Sequence, residues 1–225
     1  MTTLLQDRVQ GIVDLGGPVV ALLLVLSVLS LAVILYKLWH YAASGVGRHR
    51  RIRLALQDLD AGRLKAAREK LKASRSHLAP ILLRAVENPS AETKTRVEAE
   101  AALRLDKLER GFRILDSIAQ IAPLLGLFGT VLGMIDAFQA LQEAGSSVDP
   151  STLAGGIWVA LMTTAAGLAV SMPTSLMLTF LESRVSRERA LAEIAVETVF
   201  CPHPVAKTAT PPRRPASAVL AAHAN

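Results

Sequence analysis

Apolar residues along this chain are gathered into long blocks, unlike the alternation of a half-buried strand or the narrow stripe of a surface helix. Residues 18–36 run 19 positions without a charge, 117–135 another 19, and 150–181 run 32. About 20 residues of helix cross a hydrocarbon core, and backbone groups in lipid must pair among themselves. The blocks therefore predict three membrane-spanning helices at 18–38, 116–141 and 153–181. The last block is longer than a span needs, so its helix starts near Leu153 and continues past the bilayer. Lys37, Trp39, His40 and Tyr41 close the first block with residues suited to a membrane interface. Asp7 and Asp14 precede that block where a cleaved leader would be basic, which predicts a retained helix.

Between the first two blocks the pattern changes period. Residues 52–75 place apolar positions at helical spacing among Arg, Lys and Asp, interrupted at Gly62, and predict a pair of amphipathic helices. Pro80 and Asn88-Pro89-Ser90 punctuate the next stretch, with Ser90 placed to cap the helix after it. From Ala91, the positions Val97, Ala101, Leu105 and Leu108 form a helical stripe running through Phe112, which predicts one long helix entering the second span. Leu181, Val185, Leu191, Ile194 and Val199 extend the third span over 182–200, and Pro202 and Pro204 end it. The tail at 201–225 is rich in Pro and Ala and predicts disorder. No internal repeat is visible. The fold class is an all-α integral membrane protein: three transmembrane helices with long cytoplasmic helical extensions.

Charge fixes the expected orientation. The chain carries a net +6, and residues 37–113 contain 18 basic and 9 acidic side chains. The connector at 142–152 has no basic residue but contains Glu143 and Asp149. Loops rich in Lys and Arg stay in the cytoplasm, so 39–115 and the segment after Glu182 are expected there, with 1–17 and the connector facing outward. The basic segment reads as topology and attraction to anionic headgroups, not as a nucleic-acid surface. Lone Cys201 offers no disulfide framework.

Small and hydroxyl residues mark the second and third spans. Gly126, Gly129 and Gly133 on one, and Gly156, Ala160 and Gly167 on the other, give small-xxx-small steps that let two antiparallel helices approach closely. Thr130 and Thr164, with Thr163 beside it, fall near one depth by the 1.5 Å rise per residue. Such hydroxyls have two uses. They commonly bond back to their own backbone, or they meet across the seam and serve a carboxylic acid brought by another helix. Asp136 lies about 9 Å further along, as a vestibule acid or a helix-end acid reaching water. Pro173 predicts a bend and a freed carbonyl near Ala169, open to Ser171, water or a neighbouring helix.

Enzyme chemistry finds no support. No phosphate-binding glycine loop, metal-spaced Cys or His cluster, or nucleophile set is present, and no cofactor is implied. His40, His49, His77, His203 and His223 are scattered and read as surface or interface residues.

IAPLLGLFGTVLGMIDAF (121–138) followed by LAGGIWVALMTTAAGLAVSMP (153–173) resembles the ExbB/TolQ/MotA proton-channel family, ExbB and TolQ most closely. The order of spans agrees over most of the chain. The resemblance implies a ring of subunits, typically five, around the span of an ExbD- or TolR-like partner that supplies an essential Asp. Proton movement would power a TonB- or TolA-like protein in the bacterial inner membrane. Thr130 and Thr164 match the family's pore threonines. Where ExbB and TolQ carry a Glu in the third span, this chain has Val159 in GIWVAL. That departure keeps open a structural ring that does not conduct. A flagellar-type motor subunit would have a fourth span, and a solitary solute carrier would need more wall than three helices give.

Overall fold

The computed structural model describes residues 2–144 and 150–202, with side chains described from Gly17 onward; expectations for the 145–149 connector and for the tail from 203, including His203 and His223, lie outside these residues. All seven elements are helices: α1 (Thr2–Ser44), α2 (Arg50–Asp60), α3 (Leu64–Lys72), α4 (Ala79–Glu87), α5 (Ala91–Glu109), α6 (Phe112–Ala144) and α7 (Pro150–Phe200). Three helical stretches, within 17–44, 91–143 and 153–200, are long and apolar enough to cross a membrane. The protein is thus an all-α integral membrane protein with helical extensions beyond the spans.

Local chemistry sets the joints. α1 breaks at Gly17, whose φ of 63° and ψ of −163° lie outside the helical region. Pro18 disfavours a helical residue before it, and glycine takes the alternative without a Cβ penalty. Gly62, at φ 72°, turns α2 into α3. Ser90 Oγ accepts the Thr93 amide at 3.1 Å and starts α5. The expected single helix from Ala91 into the membrane is instead two, bent at Arg110–Gly111, where Gly111 has φ 89°. α7, by contrast, is one helix of 51 residues that passes through Pro173.

Two cores coexist. In the extramembrane bundle, Ile52, Leu59, Leu71, Leu82, Ala85, Val97, Leu105, Leu181 and Val185 are buried together, drawn from α2 to α5 and the far half of α7. Water exclusion drives that assembly. Around the spans the clustered buried apolar set shrinks to Val19, Leu23 and Ala122, with Ala137 and Ala160 buried singly at small-residue contacts, while Val25, Leu124, Phe128 and Leu176 point outward. Hydrocarbon tails are as apolar as these side chains, so the spans must be held by close backbone packing and hydrogen bonds.

Candidate functional site

α6 and α7 approach as closely as their glycines permit. A methyl group added to Gly126 would stand 2.9 Å from the Thr163 carbonyl oxygen, and one at Gly167 would stand 2.6 Å from the Ala122 carbonyl oxygen. At Gly129 it would meet Thr163 Oγ1 at 2.7 Å, at Gly133 the Ala160 methyl at 3.1 Å, and at Gly156 the Ala137 methyl at 2.5 Å. All five glycines named from the sequence therefore lie in one seam. Gly155, beside them in sequence, faces open space. Val19 of α1 closes the seam near Gly129.

Thr163 and Thr164 lie in the seam, and Thr130 follows the seam residue Gly129 on α6. Thr163 is buried to 2% exposure. Its hydroxyl donates to the Ala160 carbonyl at 2.7 Å, with the Gly126 carbonyl also in reach at 3.3 Å. Thr164 donates to the Gly126 carbonyl at 3.1 Å, and Thr130 to the Leu127 carbonyl at 2.6 Å. Of the two uses open to these hydroxyls, Thr130 takes the first and bonds back to its own helix, while Thr164 crosses the seam to an α6 carbonyl and not to the Thr130 hydroxyl. Each hydroxyl has one proton, and both protons are spent on backbone. Their common depth survives nonetheless, because the Gly126 and Leu127 carbonyls differ by about 1.5 Å along the helix.

Other candidates fall elsewhere. Asp136 is exposed and does not converge on the threonines. Val159 is half-buried, next to the Ala160 that packs on Gly133. Ser171, one expected partner for the carbonyl near Ala169, turns to α6 and donates to the Ala119 carbonyl at 2.6 Å. The reason is Pro123, a second intrahelical proline that sequence reasoning passed over. Its missing N–H leaves the carbonyl four residues earlier, Ala119, without a helical donor, and Ser171 supplies one. Thr174, 1% exposed, donates to the Val170 carbonyl at 2.7 Å.

Chemically, the seam offers oxygen lone pairs and rotatable hydroxyls with no group that ionises. Residues 117–135 and 150–181 contain no Asp, Glu, Lys, Arg or His. Each Thr oxygen can accept from a protonated acid, or rotate and donate to its conjugate base, without changing charge. Any proton carried along this seam must ride on water or on an acid from another chain.

The histidines depart from expectation. His40 stacks on Tyr36 with ring centroids 5.9 Å apart, as an interface residue would. His49 and His77, in contrast, are 18% and 11% exposed and converge on buried Glu188.

The description "MotA/TolQ/ExbB proton channel family" fits residues 66–194 of this chain, from α3 into α7. A Synechocystis protein described as ExbB-like 1 is 36% identical over 181 residues, covering 77% of this chain and 70% of the relative. The biopolymer transport protein exbB1 of Vibrio cholerae is 49% identical over 63 residues, 28% of each chain. The biopolymer transport protein ExbB of Aquifex aeolicus is 33% identical over 109 residues, 48% of this chain and 68% of that one.

Proposed function

The chain belongs to the MotA/TolQ/ExbB proton channel family, and we propose that it is the channel-forming subunit of an ExbB/TolQ-type complex that couples a proton gradient across the bacterial inner membrane to work in the envelope. The observation that carries this reading is the charge-free α6–α7 seam, where Thr164 bonds across to the Gly126 carbonyl, with Thr130 on the next carbonyl of α6 at nearly the same depth. Such a seam is suited to passing a carboxylic acid between protonated and ionised forms without fixing it in either. The acid is an Asp on the single span of an ExbD- or TolR-like partner, encircled by a ring of these subunits, five in the family's usual arrangement. A TonB- or TolA-like protein receives the work. The α2–α5 bundle faces the cytoplasm, consistent with its excess of Lys and Arg. One proton crossing 100 mV releases about 2.3 kcal/mol, so useful mechanical work takes several.

The test is proton flux into liposomes that contain this chain and its partner. Thr130→Val and Thr164→Val should each reduce flux about tenfold, the effect of losing about 1.4 kcal/mol of hydrogen bonding to the acid in transit. Flux equal to wild type in both variants removes the threonines from the pathway. A second reading, a ring that organises an envelope assembly without conducting, is favoured by one position: Val159 stands where ExbB and TolQ have a carboxylate.

A further inference from the structure

Glu188 lies on α7, seven residues beyond the last uncharged position of the third span, and its side chain is 1% exposed. It packs among extramembrane elements. Oε1 accepts the Gly47 amide at 2.5 Å, from the turn between α1 and α2. His49 Nε2 lies 3.5 Å from the same oxygen, and His77 Nδ1, from the α3–α4 link, lies 4.0 Å from Oε2. Oε2, both ring nitrogens of His77 and Nδ1 of His49 are buried without a hydrogen-bond partner among the described residues.

A cluster of this kind is costly to maintain unless its protons can move. The charged groups around it are few. From α5, Arg104 donates to the His77 carbonyl at 2.5 Å and pairs with Glu100 at 2.8 Å. From α7 itself, Arg184 reaches toward Gly47, 3.7 Å from where a side chain there would begin. Neither is paired with the Glu188 carboxyl, whose polar contacts among the described residues are the Gly47 amide and two imidazoles.

We propose that Glu188, His49 and His77 form a proton-binding site outside the membrane, whose occupancy sets how tightly α7 holds the α1–α2 turn. The turn is built to be held at two points. Gly45 and Gly47 have φ of 69° and 87°, and a side chain at Gly45 would collide with the Arg75 carbonyl of the α3–α4 link. On its other side Gly47 is tied to Glu188. With the carboxyl ionised, that tie is charge-assisted and roughly twice as strong as a neutral one. When the carboxyl takes a proton, the Gly47 bond becomes an ordinary neutral one and His49 loses its anion, but the closed turn no longer buries a charge. Both consequences reach the spans, because α1 leaves from this turn and α7 is the same unbroken helix that carries Thr164.

The order of protonation supports this assignment. Burial pushes the Glu188 carboxyl above the usual range, partly offset by the Gly47 amide and the charge of His49. Burial, then Arg104 and His49, push His77 down to about 4. As pH falls, the carboxyl therefore takes a proton before His77 does. The closed fold favours the protonated carboxyl, so this group adds stability as pH falls through its raised pKa: protonation holds the turn closed, and ionisation of the buried carboxyl loosens it. His77 acts oppositely, costing stability as pH falls from its ordinary 6.5 toward about 4.

Val46-Gly47 is the sole Val-Gly pair in the sequence. The full chain labelled with carbonyl-13C valine and 15N glycine, in detergent micelles, thus reports the Gly47 amide alone. Its hydrogen-bonded shift should move as pH falls, with a midpoint above the ordinary Glu value near 4.3. In Glu188→Gln it should stay at its acid position throughout. His49→Gln, which removes a nearby cation, should raise the midpoint. A Gly47 signal that does not move in wild type, or moves equally in Glu188→Gln, or keeps its midpoint in His49→Gln, overturns the proposal. None of these readings depends on conduction, so the site stands or falls separately from the channel function.

Discussion

Pro123 removes one amide hydrogen from α6, and Ser171 on α7 replaces it, so a defect in one helix becomes a bond between two. That exchange is testable in a cycle. Ser171→Ala should destabilise the helix pair by about 1 kcal/mol, between the averages for membrane and for buried soluble hydrogen bonds. In a Pro123→Ala background, where the restored backbone amide can bond the Ala119 carbonyl directly, the same change should cost distinctly less. Reversible unfolding in mixed micelles measures all four proteins, and equal costs in both backgrounds contradict the repair. Pro173 was legible as a source of a freed carbonyl because it interrupts an otherwise uniform helix. Pro123 sits in an equally apolar run, but its consequence appears only when the partner helix is in register. Register was likewise what sequence could not supply for Thr130 and Thr164. Their depth comes from counting residues, whereas the direction of each hydroxyl depends on rotamers and on how near Gly126 lets α7 come.

At the scale of elements, periodicity carried the reading of α2, α3, α5 and the extension of α7, because each buries one stripe against the same water-excluded core. It failed at Gly111 for an instructive reason. Leu105, Leu108, Phe112 and Leu115 are all buried, so the helical spacing passes unbroken across a joint that is bent. What secures the joint comes from α1: Lys37 Nζ and Tyr41 Oη both donate to the Leu108 carbonyl, at 2.9 and 3.0 Å, in the last turn of α5 where carbonyls lack helical donors. A second joint depends on charge. Asp58, buried near the end of α2, has Lys70 Nζ 2.5 Å from one oxygen and Arg63 Nη2 2.6 Å from the other, which ties α2 to α3 around Gly62. Lys70, then Arg63, hold the carboxyl below the usual range, against the opposing effect of burial. A carboxylate with a lowered folded pKa contributes stability above its unfolded pKa, near 3.9, and loses that contribution as pH falls through the folded value. Asp58→Asn should therefore cost about 2 kcal/mol at pH 7. The gap from wild type should narrow below about pH 3.9 as the wild-type carboxyl protonates. Thermal unfolding followed by circular dichroism across that range checks both statements, and a gap independent of pH rules out the charge.

For the molecule as a whole, the division of labour between its two cores decides what Val159 means. The bundle contains the ionisable groups that are buried and paired, while the α6–α7 seam contains none, so a carboxylate at 159 would be the only one beside the seam's small-residue contacts among the described residues. Val159 is half-buried beside Ala160, which packs on Gly133 across the seam. A Glu there would add a group able to take and release a proton beside a seam that has none of its own. If the partner's acid suffices, the wild-type chain with its partner conducts, and Val159→Glu changes the rate of an existing flux. If the ring only organises an assembly, wild-type liposomes are silent and Val159→Glu creates flux where none existed. The threonines couple the two experiments. In a conducting wild type, Thr164→Val should lower flux with Val at 159 and also with Glu, because the hydroxyl serves whichever acid passes. A Thr164 effect that appears only in the Val159→Glu background would assign the native chain to the scaffold.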